Sequence, residues 1–110
     1  MSTARARRTI EYRVTHGGTL GASWYTVARR VDSASVDAWV PVPARGGKST
    51  ENPPRINPAR FRFPDRTMAL LTVRRQIAAD LAAAKRLDMG ATVTEHPRDH
   101  ALVATVDIFF

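Results

Sequence analysis

The longest run of helical periodicity in the chain is Asp65 to Gly90, where Leu70, Val73, Ile77, Leu81 and Ala84 recur every three or four residues. That spacing aligns them on one face of a 3.6-residue helix, with Arg75, Ala79, Ala82 and Arg86 on the far side. Asp65 is the expected N-cap, Lys85 and Arg86 suit the negative C-terminal end, and Gly90 is the expected stop. A helix of about 22 residues is about 33 Å long, enough to cross a small sheet, with Ile77 at its buried centre.

Elsewhere the pattern alternates. Ile10, Tyr12 and Val14 share one face of a strand over Thr9 to Thr15, opposite Glu11, Arg13 and Thr15. His16-Gly17-Gly18 reads as a turn, followed by a strand over Ser23 to Asp32 rich in β-formers. Burying Tyr25, Val27, Arg29 and Val31 leaves Trp24, Thr26 and Arg30 on the outer face with Glu11 and Arg13. After a turn at Asp32 to Ser35, Val36 to Val42 is a third strand, and Pro41 marks it as an edge. Ala91 to Glu95 and Ala101 to Phe110 are the last two strands, joined by a turn at His96 to His100. The final strand is apolar on both faces, with Leu102, Ala104, Val106, Ile108 and Phe110 on one and Val103, Thr105 and Phe109 on the other. That suits a central strand, or one whose second face a partner covers. The order βββ-loop-α-ββ predicts an α+β fold of two layers, an antiparallel sheet of about five strands packed on one long helix.

Between the third strand and the helix, residues 43–64 hold five prolines, two glycines and five basic residues, which excludes a regular helix or a central strand. This is a basic, proline-rich loop that Phe61 and Phe63 tack to the core. Residues 1–8 carry Arg5, Arg7 and Arg8 among small residues and read as a flexible basic arm. Residues 9–110 then form a single domain.

Charge sharpens this picture. The net charge of +7 is concentrated in the arm, at +3, and in residues 43–66, where six basic side chains face Glu51 and Asp65. Fifteen of the 17 basic residues are arginine, whose planar fork suits phosphate and carboxylate. A chain rich in Ala, Arg and Val also follows from a GC-rich genome, so the bias alone identifies no ligand.

Several chemistries are excluded or weak. There is no cysteine, hence no disulfide, thiol nucleophile or cysteine metal site, which fits a reducing cytoplasm, the expected location. Polar alternation follows the basic start where a signal peptide would have an apolar stretch, and no segment is long and apolar enough to span a membrane. The ARGGKST segment resembles the end of a phosphate-binding loop, but Val42 stands where that pattern needs glycine, and Pro53 and Pro54 prevent the helix that should follow. Glu95, His96, Asp99 and His100 are metal-ligand types crowded into one surface turn, with nothing to fix their orientation. His16 has no nucleophile or carboxylate placed beside it by any motif. The expectation is a non-enzymatic protein with no catalytic residues, metal site or cofactor.

Two partner classes remain. The first is nucleic acid, DNA or RNA: phosphates gripped by Arg5, Arg7 and Arg8 of the arm and by Arg45, Lys48, Arg55, Arg60 and Arg62 of the loop, with Trp24 among Arg13 and Arg30 on the sheet for base stacking. The alternative is a protein-interaction or assembly subunit, a structural or inhibitory protein that forms a homodimer through its apolar C-terminal strand or the Ala78, Ala79, Ala82, Ala83 and Ala84 sides of the helix.

Overall fold

The computed structural model describes residues 7–19, 21–31, 39–44, 58–97 and 101–110. The arm up to residue 6, the turn at 32–35, the first part of the third strand, loop residues 45–57 and the turn residues 98–100 lie outside the described residues.

Strands β1 (Arg7–Thr19), β2 (Ala22–Val31) and β3 (Val40–Val42) precede a 3-10 turn at Pro58–Phe61, helix α1 (Arg66–Arg86), and strands β4 (Gly90–Glu95) and β5 (Leu102–Phe109). The strands form one antiparallel sheet in the order β3-β2-β1-β5-β4, and the 21-residue helix packs on one of its faces. This is the expected two-layer α+β fold. β3 is an edge, as Pro41 requires.

β1 is longer than the alternation suggested. His16, Gly17 and Gly18 are not a turn: they pair with Tyr25, Trp24 and Ser23, and the chain reverses between Thr19 and Ala22. Gly18 has φ 108°, and a Cβ there would lie 2.1 Å from the Ala22 carbonyl oxygen, so this glycine serves the hairpin from within the strand.

Alternation along β1 and β2 holds. Ile10, Tyr12, Val14 and Val27 are buried under the helix, with Tyr25 and Val31 packed against them. Phe63 is buried too. Its backbone exchanges two hydrogen bonds with Tyr25, 2.9 and 2.7 Å, so the end of the loop extends the β3 edge.

β5 lies inside the sheet between β1 and β4. Its register shifts at Tyr12/Arg13, where Leu102 and Ala104 pair with successive β1 residues and Val103 is the extra one. That bulge brings Val103, which strict alternation places on the face opposite Ala104 and Val106, into the core with both.

The Asp65 carboxylate accepts the Met68 amide at 2.8 Å and caps α1 as expected. The stop differs. Asp88, at φ 55°, occupies the left-handed position, and the Asp88 and Met89 amides donate to the Lys85 and Ala84 carbonyls. Aspartate tolerates that conformation, so Gly90 is free to begin β4 instead.

The buried stripe is Ala69, Val73, Asp80 and Ala84, turned slightly from the expected one. Ile77 is half-buried and Leu81 is exposed. The cause is Asp80. Its Oδ2 accepts the Tyr12 hydroxyl, its Oδ1 accepts Arg29 Nη2 at 2.9 Å, and Arg29 Nε donates to the Tyr12 oxygen at 3.1 Å. Burial, and then the Asp80 hydrogen bond, push the Tyr12 hydroxyl pKa well above its ordinary value. Burial disfavours the charged Arg29, but the bonds to Tyr12 and Asp80 outweigh it and its pKa is raised. The three side chains fasten helix to sheet.

Candidate nucleic-acid interface

Because side chains alternate along a strand, residues between the buried positions stand on the face opposite α1. These are Thr9, Glu11 and Arg13 of β1, Trp24, Thr26 and Arg30 of β2, and Thr105, Asp107 and Phe109 of β5. Among the described residues, no helix covers this face.

Two arginine–indole clusters occupy it. Arg13 and Arg30 hold their Cζ atoms 4.4 and 4.5 Å from the centre of the Trp39 ring. Arg62 stands 4.0 Å from the Trp24 ring centre, brought there by the pairing of its neighbour Phe63 with Tyr25. Each is within cation–π range. Gly17, directly opposite Trp24, makes room for the indole: a Cβ at Gly17 would lie 2.9 Å from Trp24 Nε1.

Carboxylates temper the charge only in part. Arg30 donates from Nε and Nη2 to Glu11 Oε1 at 3.1 and 2.7 Å, which aims the guanidinium while the indole supports its plane. Thr9 donates to Asp107 Oδ1 at 2.8 Å, and Arg7, with its side chain 62% exposed, stands 3.9 Å from the same oxygen. Arg13 Nε is buried with no hydrogen-bond partner among the described residues, under the Trp39 π face. Among the described residues, four guanidiniums, Arg7, Arg13, Arg30 and Arg62, therefore face two carboxylates, Glu11 and Asp107.

The expected site residues are only partly gathered here. Arg13 and Arg30 do share an aromatic, but it is Trp39, while Trp24 takes Arg62. Arg7 and Arg8 begin β1 rather than ending an arm, and they point to opposite faces: Arg8 pairs with Ile108 and lines a cavity on the helix side. Arg60 is half-buried, its carbonyl accepting the Ala44 amide at 2.6 Å. Arg5, Arg45, Lys48 and Arg55 lie outside the described residues. Sequence reasoning missed Trp39 as a site residue; its place opposite Val40 on an edge strand was the available signal.

Of the other candidates, Asp99 and His100 lie outside the described residues. The His16 ring meets the Tyr25 ring at a tilt of 44°, centroids 4.9 Å apart, and His96 Nε2 lies 2.8 Å from Thr105 Oγ1. Among the described residues no group of three or more His, Asp or Glu side chains is placed to hold a metal, and no helix is long and apolar enough to cross a membrane. No protein-family model, no curated protein and no solved structure matches this chain.

Proposed function

We propose that the protein binds single-stranded nucleic acid on the sheet face opposite its helix, without catalysing a reaction. The observation that carries this reading is the pair of arginine–indole clusters on one open surface. Indole rings and guanidinium planes both stack on bases, and guanidiniums meet phosphate, so each cluster offers one base platform and at least one phosphate contact. The width of the sheet favours a single strand over insertion into a duplex major groove. Five strands about 4.8 Å apart span about 19 Å, too broad for the roughly 12 Å major groove of a duplex, whereas a single strand can lie across them. The basic residues of the arm and loop add phosphate contacts of the same kind.

Competition tests it. Labelled single-stranded DNA and RNA should be displaced by unlabelled single strands far better than by duplex of the same sequence. Equal displacement by duplex would contradict the strand preference.

One feature supports the assembly alternative. β5 is hydrogen-bonded on both sides, so strand pairing between copies falls to an edge, and β4, six residues without proline, lysine or bulge, is less protected than the three-residue β3 with its Pro41. A dimer mass by light scattering that Val93→Lys reduces to monomer, together with no nucleic-acid binding, would favour that reading.

A further inference from the structure

β4 is an outer strand, and among the described residues nothing pairs with its far edge. Which of its backbone groups lie there follows from one bond just past its end. The His96 amide donates to the Val103 carbonyl at 2.9 Å, in the register that pairs Glu95 with Ala104. Residues of an antiparallel strand alternate between bonding to the neighbour and pointing away from it. Thr94, Thr92 and Gly90 therefore bond to β5, while Glu95, Val93 and Ala91 turn their N–H and C=O groups outward. These three also share a face. Val93 stands opposite the buried Val106, so their side chains lie on the helix side, and those of Thr92 and Thr94 on the open side.

The surroundings of this edge suit a second copy of the same strand. On the helix side Leu70 and Ile77 line a shallow cleft with Glu95, and Val93 and Leu81 are 40% and 36% exposed. A copy turned about a two-fold axis that passes through Val93, perpendicular to the sheet, brings the same apolar groups to meet them. Val93 then pairs with its own counterpart and Ala91 with Glu95 on either side, in about six hydrogen bonds that engage every outward group of the three residues. A shift of one residue would set the side chains on opposite faces, and a shift of two would leave outward groups of Glu95 unmatched. Charge agrees with this register. The two Glu95 side chains fall about 13 Å apart, beyond the roughly 8 Å screening length. Each instead lies beside the Gly90 end of the other strand, next to Lys85, which is exposed one turn after Leu81. We propose that the protein forms a two-fold dimer through β4 in this register, joining two sheets into one with both helices on the same side. The dimer does not depend on whether the open face binds nucleic acid.

The test is sedimentation equilibrium of the full chain from micromolar to submillimolar concentration, where a dimer mass should appear. Val93→Pro removes only an outward N–H, so β4 keeps its bonds to β5 and circular dichroism should not change, while the dimer Kd should rise by about thirtyfold or more. Glu95→Lys should weaken the dimer by about tenfold, and Lys85→Glu/Glu95→Lys should bring it back to within about twofold of wild type. The chain has no cysteine, so single-cysteine variants report the register. Under oxidised glutathione, Val93→Cys should link two copies, its Cα atoms about 5.5 Å apart, and Thr92→Cys should not. Monomer mass throughout the range would overturn the proposal. So would a dimer that Val93→Pro leaves intact, or equal cross-linking at the two positions.

Discussion

Arg29 and Arg30 are adjacent in β2 and stand on opposite faces of one sheet. Arg29 faces the helix, and its hydrogen bonds run to the buried Tyr12 and to Asp80. Arg30 faces outward, bonded to Glu11 and lying over the Trp39 ring. The same side chain is thus a fastener under α1 and part of an open surface beyond it. Exposure does not separate the two, at 31% for the Arg29 side chain and 21% for that of Arg30; their partners do, a buried network under the helix for one and a surface carboxylate and indole for the other. Substitutions on the helix side should therefore cost stability, and those on the open side should cost binding.

The largest effect should come from Asp80→Ala, which leaves Arg29 charged and partly buried with only the Tyr12 hydroxyl and no carboxylate. A loss of about 3 to 5 kcal/mol is expected in denaturant unfolding. A loss below about 1 kcal/mol would mean that the network does not fasten helix to sheet.

Tyr12→Phe removes one donor to Asp80 and one acceptor for Arg29, for a smaller loss of about 1 to 3 kcal/mol. It also has a pH signature. The Tyr12 pKa is raised in the folded protein above its ordinary 10.0, so its contribution is complete below pH 10.0 and is lost as pH rises toward the folded value. Wild-type stability should fall above that pH. The fall should be shallower in Tyr12→Phe, and identical alkaline profiles would remove Tyr12 from the account.

On the open face the readout changes. Trp39→Ala should weaken single-strand binding by about 1 to 3 kcal/mol while moving stability by about 1 kcal/mol or less. The reverse pattern, intact binding in a destabilised protein, would make Trp39 part of the fold instead. The smallest effect is expected from Gly17→Ala, whose Cβ meets Trp24 Nε1 and must displace the indole. Binding should weaken by less than about 1 kcal/mol, with a change in Trp24 fluorescence.

How far the sequence reveals this molecule follows from the range of each interaction. Alternation along β1 and β2 depends only on neighbouring residues, and it correctly buries Ile10, Tyr12, Val14 and Val27. The Asp65 cap is equally local, since its partner is Met68. Asp80 is different. A polar residue in a helix reads as outward, and its two partners lie 51 and 68 residues away, so the inward stripe cannot be placed without knowing the fold. The bulge at Val103 is invisible for the same reason, because it exists only relative to β1. The open face was half legible: Arg13 and Arg30 fall on the correct side, but their indole comes from Trp39, beside a strand whose neighbour no pattern specifies.

The most direct test of the proposed interface is the salt dependence of binding to a single-stranded oligonucleotide of about 12 nucleotides, followed by tryptophan quenching. If Arg7, Arg13, Arg30 and Arg62 each displace a counterion, log K should fall against log salt with a slope of about −3, steeper if arm and loop join. Followed instead by the anisotropy of a label on the oligonucleotide, binding should be strongly weakened in Trp24→Ala/Trp39→Ala, which carries no tryptophan, while that variant keeps its fold. No binding at low salt, or binding of equal strength and slope in the double variant, would contradict a nucleic-acid site on this face.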